Sequence, residues 1–95
     1  MAELPESTES ALALIEYPSQ FPLKVFGKPS SDFEATVVNL VRARVPQAEH
    51  IDIRRRDSRN GKYQALTLTF TVHTQQQLTD IYRDLYACEQ VMMSL

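Results

Sequence analysis

Ninety-five residues, 43% hydrophobic and 23% charged with a formal net charge of -2, describe one soluble domain with little room for a second. No apolar run nears the roughly 20 residues of a membrane helix, and no Arg-rich or apolar leader opens the chain. A single Cys excludes a disulfide framework and a Cys-based zinc site and suits a reducing cytoplasm, and two Gly outside any Gly-rich loop leave no cradle for a nucleotide phosphate.

Residues 1–8 are small, polar and acidic and read as a disordered tail ahead of a single domain over 9–95. Glu3, Glu6, Glu9 and Glu16 are the only charged residues of segment 1–16, a local charge of -4. Leu12, Leu14 and Ile15 among Ala residues predict a short helix over 9–16, stopped at Tyr17 because the residue before Pro18 is pushed out of the α region. Phe21, Leu23 and Val25 then alternate with Pro22, Lys24 and Phe26, the pattern of a strand with one buried face. Pro22 has no N–H for a ladder, which places it in the first residue or two of that strand.

Gly27-Lys28-Pro29-Ser30 is a turn, and Ser31-x-x-Glu34 has the spacing of a capping box. Phe33, Val37, Val38, Leu40, Val41 and Val45 follow at helical spacing until Pro46. Next come two β-type runs, 51–58 and 62–73, around Asn60-Gly61, a hairpin signal. A two-residue turn there pairs Ile53 with Leu68 and Ile51 with Phe70, both on the apolar side, so turn chemistry and hydrophobic pattern agree. Thr74 and Gln77 form a second capping box before an apolar stripe of Leu78, Ile81, Tyr82, Leu85 and Cys88. Residues 90–95 close as a strand with Val91, Met93 and Leu95 on its apolar face.

The order strand, helix, strand, strand, helix, strand predicts an α+β fold, the ferredoxin-like βαββαβ two-layer sandwich: four antiparallel strands with two helices on one face, preceded by the short extra helix. The first and third strands are central. The open face carries Lys24, Phe26, Asp52, Arg54, Arg56, Tyr63, Ala65, Thr67, Thr69, Thr71, His73, Met92 and Ser94.

Catalysis needs a nucleophile, a base and an orienting group, and the chain offers no such constellation. Cys88 reads as a small core residue, Asp80, Arg83 and Asp84 as a solvated helix face. His50 and His73, with Glu49 or Asp52, match no metal-ligand spacing, so no metal, cofactor or catalytic residue is assigned. Arg54, Arg55, Arg56, Arg59 and Lys62 surround Asp57 alone, +4 in nine residues. That patch suits a phosphate or an acidic partner, and it equally serves as an edge that resists pairing with another sheet.

The reading is therefore a non-enzymatic, cytoplasmic regulatory or adaptor module whose partner contacts are Lys24, Arg54, Arg56 and Tyr63. The alternative is weak single-stranded RNA binding on Tyr63 and Phe26, although Ala65 stands where a stacking platform carries an aromatic. A small ligand at Gly27, Ser30 and Ser31 would use free amides at a helix start. The uncharged strand 91–95 and the open sheet face offer surfaces for a homodimer.

Glu16-Tyr17-Pro18, Phe21-Pro22-Leu23-Lys24-Val25-Phe26-Gly27, Ser58-Arg59-Asn60-Gly61-Lys62-Tyr63 and Val91-Met92-Met93-Ser94-Leu95, in this order and spacing over about residues 10–95, resemble the small uncharacterised bacterial YbeD-like proteins, also labelled lipoate-regulatory-like. The resemblance implies a ferredoxin-like fold similar to ACT regulatory domains, with Gly27 at the position where those domains bind ligand. It implies no established activity, and the family label suggests a link to metabolic, lipoate-linked regulation.

Overall fold

The structure, a computed structural model, describes residues 6–48 and 50–94. Its elements run α1 (Glu6–Ala13), β1 (Ser19–Gly27), α2 (Phe33–Arg44), β2 (Asp52–Asp57), β3 (Gln64–Val72), α3 (Gln75–Ala87) and β4 (Val91–Ser94). The strands form one antiparallel sheet in the order β2-β3-β1-β4. After α1 this is the ferredoxin-like arrangement, with β1 and β3 central as the pattern predicts.

One apolar core lies between sheet and helices. Leu23 and Val25 of β1 and Leu66, Leu68, Phe70 and Val72 of β3 meet Phe33, Val37 and Val41 of α2 and Leu78, Ile81, Tyr82 and Leu85 of α3, all buried. Period 2 on the strands and steps of 3 and 4 on the helices bring these residues to one interface. Helix α1 adds Leu12 to the core; the Tyr17 hydroxyl donates to the Leu12 carbonyl at 2.9 Å.

The hairpin register is the expected one: Asp52 pairs with Thr69, Ile53 with Leu68, Arg54 with Thr67 and Arg56 with Ala65. The turn differs. Ser58 donates to the Tyr63 carbonyl and Gly61 donates to the Ser58 carbonyl, both at 3.0 Å, so the loop has four residues. Only Gly61 takes positive φ, at 66°, whereas a two-residue type I′ turn needs it at Asn60 as well. Loops of two and four residues have the same parity, which is why the register is unchanged.

Pro22 is not at the strand's start, because β1 begins two residues earlier, at Ser19. It is the fourth residue of a central strand, opposite Thr69. Hydrogen-bonded and non-hydrogen-bonded pairs alternate along an antiparallel ladder. Counting from the Ser58–Tyr63 bond, Thr69 turns its backbone groups toward β2, so it asks nothing of Pro22. On its other side β1 meets β4, among the described residues, only at Val25, Phe26 and Gly27. The missing N–H therefore falls on a bare edge, where it also discourages another strand.

Other expectations are corrected. Helix α1 starts at Glu6, so Glu6, Ser7 and Thr8 belong to a helix rather than a disordered tail. No Ser31 capping box forms: Asp32 is the N-cap of α2, without a side-chain cap bond, and the Ser30 hydroxyl accepts from the Asp32 N–H at 3.1 Å. At α3 Thr74 does accept from the Gln77 N–H, but the Gln77 side chain returns to the N–H of His73. Cys88 is the half-buried C-cap of α3 rather than a core residue. Asp84 is not simply solvated, since it takes Arg44 Nε and Nη2 at 2.7 and 3.0 Å and ties α3 to α2. A bulge opposite Phe26 and Gly27 shifts the phase of β4, so Met93 shares the open face with Phe26, while Ser94 pairs with Val25 on the helix face. The tail residues 1–5, Glu49 and Leu95 lie outside the described residues.

Candidate functional site on the open sheet face

The register assembles the open face in rows. Arg56, Ala65, Phe26 and Met93 form one row across all four strands; Arg54, Thr67 and Lys24 form the next across three. Ala65 is the small member of its row, and its short side chain leaves a dip. Phe26, Arg56, Tyr63 and Ala65, with the hairpin residues Asp57, Ser58 and Arg59, line this concavity of about 400 Å³. The Phe26 and Tyr63 rings meet edge to face, centroids 6.0 Å apart at 69°. Such a pair favours a rigid wall over a flat stacking surface.

The three consecutive arginines divide between the two faces. Arg54 and Arg56 project from the open face, whereas Arg55 lies on the helix face and reaches Glu34 of α2 at 3.4 Å. Arg54 has Asp52 at 3.6 Å on an exposed surface, a weak pairing. Among the described residues neither Lys24 nor Arg56 has a carboxylate in ion-pair range. The arrangement is a concavity with an aromatic wall, in which Arg56 and Arg59 outnumber Asp57, and beside which Lys24 and Arg54 add two further cations. It suits an apolar side chain flanked by carboxylates.

All four residues expected to contact a partner thus share one face: Arg56 and Tyr63 line the dip, and Lys24 and Arg54 flank Thr67 beside it. Phe26 and Met93 complete the row. Alternation already puts Phe26 on this face; Met93 depends on the bulge, for which the sequence carries no signal.

Gly27, Ser30 and Ser31 are not brought together in the same way. Ser30 and Ser31 line a second concavity of about 380 Å³ with Glu34, Arg55, Tyr63 and Gln64. Gln64 Oε1 is buried and has no hydrogen-bond partner among the described residues. Gly27 lies outside that lining, and a Cβ on it would collide with the Phe33 ring and the Gln90 carbonyl. Its glycine thus has a packing reason. His50 and His73 do share a concavity, of about 740 Å³, with Asp52 and Arg54. Among the described residues no group of three His, Cys, Asp or Glu is placed to hold a metal ion, and no helix is long and apolar enough to cross a membrane.

Residues 13–95 match the family model described as "Protein of unknown function (DUF493)". The chain is 39% identical over 82 residues to a UPF0250 protein of Chromobacterium violaceum, covering 86% of this chain and 92% of that one. It is 39% identical over 87 residues to a UPF0250 protein of Neisseria gonorrhoeae, covering 92% and 96%. Among solved structures, the solution structure of protein HP0495 from H. pylori superposes with a TM-score of 0.68 at 17% identity, covering 100% of this chain and 98% of that one. That likeness speaks to the fold alone.

Proposed function

The chain belongs to the DUF493 family of bacterial proteins of unknown function, and from that premise we propose that it is a small cytoplasmic, non-enzymatic regulatory or adaptor module that binds an acidic protein partner on its open sheet face. The observation that supports this most is the dip walled by Phe26 and Tyr63, with Arg56 in its lining and Lys24 and Arg54 in the row beside it. Aromatic and arginine side chains are the residues most enriched among binding hot spots. Cations around an apolar centre select a partner of opposite charge and speed its encounter.

Capture from a bacterial lysate on the native protein, beside a Tyr63→Ala, Arg56→Glu variant of intact fold, tests the reading. An acidic protein retained by the native form and released by the variant is the expected result. Nucleic acid retained instead, with the same dependence on Tyr63, would replace it with single-stranded RNA binding. Identical eluates would leave the open face without a role.

Self-association through the β4 edge is a second reading. It rests on Met92 and Met93, 59% and 51% exposed on an uncharged edge strand. A concentration-independent monomer mass in light scattering, from micromolar to millimolar, would eliminate it.

A further inference from the structure

β2 is the outer edge of the sheet beside that face, and every one of its six residues is exposed. It carries no proline, unlike the bare stretch of β1, and pairs with β3 without a bulge. The Ser58–Tyr63 hydrogen bond fixes the phase of its backbone. By alternation, Asp52, Arg54 and Arg56 turn their N–H and C=O groups toward β3, leaving those of Ile53, Arg55 and Asp57 pointing outward. Side chains alternate in step. The outward backbone groups thus lie between an open-face row, Arg54 and Arg56, and a helix-face row that includes Ile53, an apolar side chain left 36% exposed.

Charged side chains ordinarily protect an edge from other strands. Here Arg54, Arg55 and Arg56 all have one sign, and Asp52 and Asp57 stand only at the two ends. Such an edge repels a basic strand and attracts an acidic one. We infer that β2 accepts an extended acidic segment of a partner protein as a fifth strand, its carboxylates on Arg54 and Arg56 and its alternate apolar side chains over Ile53. Backbone hydrogen bonds would hold such a segment and the charge pattern would select it. The inference deepens the reading above, resting on it for the sign of the partner's charge.

The probe is the capped hexapeptide Glu-Val-Glu-Val-Glu-Val, followed by amide resonances and hydrogen exchange of the native protein. Strand addition is expected to slow exchange at Ile53, Arg55 and Asp57 by about tenfold or more, leaving Arg54 and Arg56 little changed because β3 already protects them. Arg54→Glu with Arg56→Glu should weaken the peptide by about tenfold or more. Arg55→Pro, which removes an outward donor from an edge strand that tolerates proline, should do the same with both open-face arginines present. The corresponding Lys-Val peptide should not compete.

No binding of the Glu-Val peptide overturns the inference. So does binding that shifts Lys24 and Tyr63 without slowing the three outward amides. The latter result leaves the open-face reading standing, so the two fail separately. Displacement of the peptide by uridine-rich RNA, with no slowed amide in either complex, overturns the inference in favour of nucleic acid.

Discussion

The ring of Phe33 sits where a side chain at Gly27 would have to go, with the Gln90 carbonyl closing the same space. Phe33 is fully buried at the start of α2, and Gly27 ends β1, so this contact sets how closely the helix approaches the sheet. Gly27→Ala should cost about 1–3 kcal/mol as overpacking, read by chemical denaturation. An unchanged midpoint would mean that Phe33 moves aside freely.

Gly61 is a glycine for a different reason. Nothing lies within 4 Å of the position a Cβ would take, yet its φ is 66°. Gly61→Ala should therefore cost about 1–2 kcal/mol in backbone strain, and Gly61→Asn less, since Asn tolerates that region better. Equal losses for Ala and Asn would remove backbone strain as the cause.

Phe70 and Thr69 are neighbours on β3 that face opposite ways. Phe70 is 1% exposed and Thr69 is half-buried on the open face. Phe70→Ala should cost about 3–5 kcal/mol and Thr69→Ala much less, measured by urea titration. Comparable losses would reverse the assignment of the two faces.

Tyr82 is buried in α3 against the Phe21 ring, 6.4 Å between centroids, and its phenol is pushed up to about 12, first by burial and then by Tyr86. The unfolded chain would ionise near 10, so between roughly pH 10 and 12 it releases a proton that the folded protein keeps. Tyr82 thus adds stability that is complete below pH 10 and lost as pH rises toward 12. Tyr82→Phe should flatten that part of the stability profile; an unchanged slope would place the alkaline transition elsewhere.

The Arg44–Asp84 fork joins the C-terminal turn of α2 to α3, and the bidentate hydrogen bond raises the arginine further above its usual range. It lies in solvent, so Asp84→Asn should destabilise less than Gly27→Ala, by an amount that fades in high salt. A loss independent of salt would point to packing rather than charge.

Periodicity and turn chemistry by themselves determined the element order, the two faces of β1, β2 and β3 and the hairpin register. These depend on near neighbours and on strict alternation, and a parity argument survives even when the turn type changes. They also placed Lys24, Arg54, Arg56 and Tyr63 on one face. Other features depend on residues distant in the chain, and only the tertiary structure decided them. The dip at Ala65 needs the row from Arg56 to Met93, and Met93 enters that row through a bulge invisible in β4 alone. Pro22 is tolerated mid-strand because β4 is short and Thr69 turns toward β2. The reason for Gly27 lies in Phe33 and Gln90, and Asp84 finds Arg44 forty residues away. Local pattern sets which way a side chain points; packing between elements sets what it meets there.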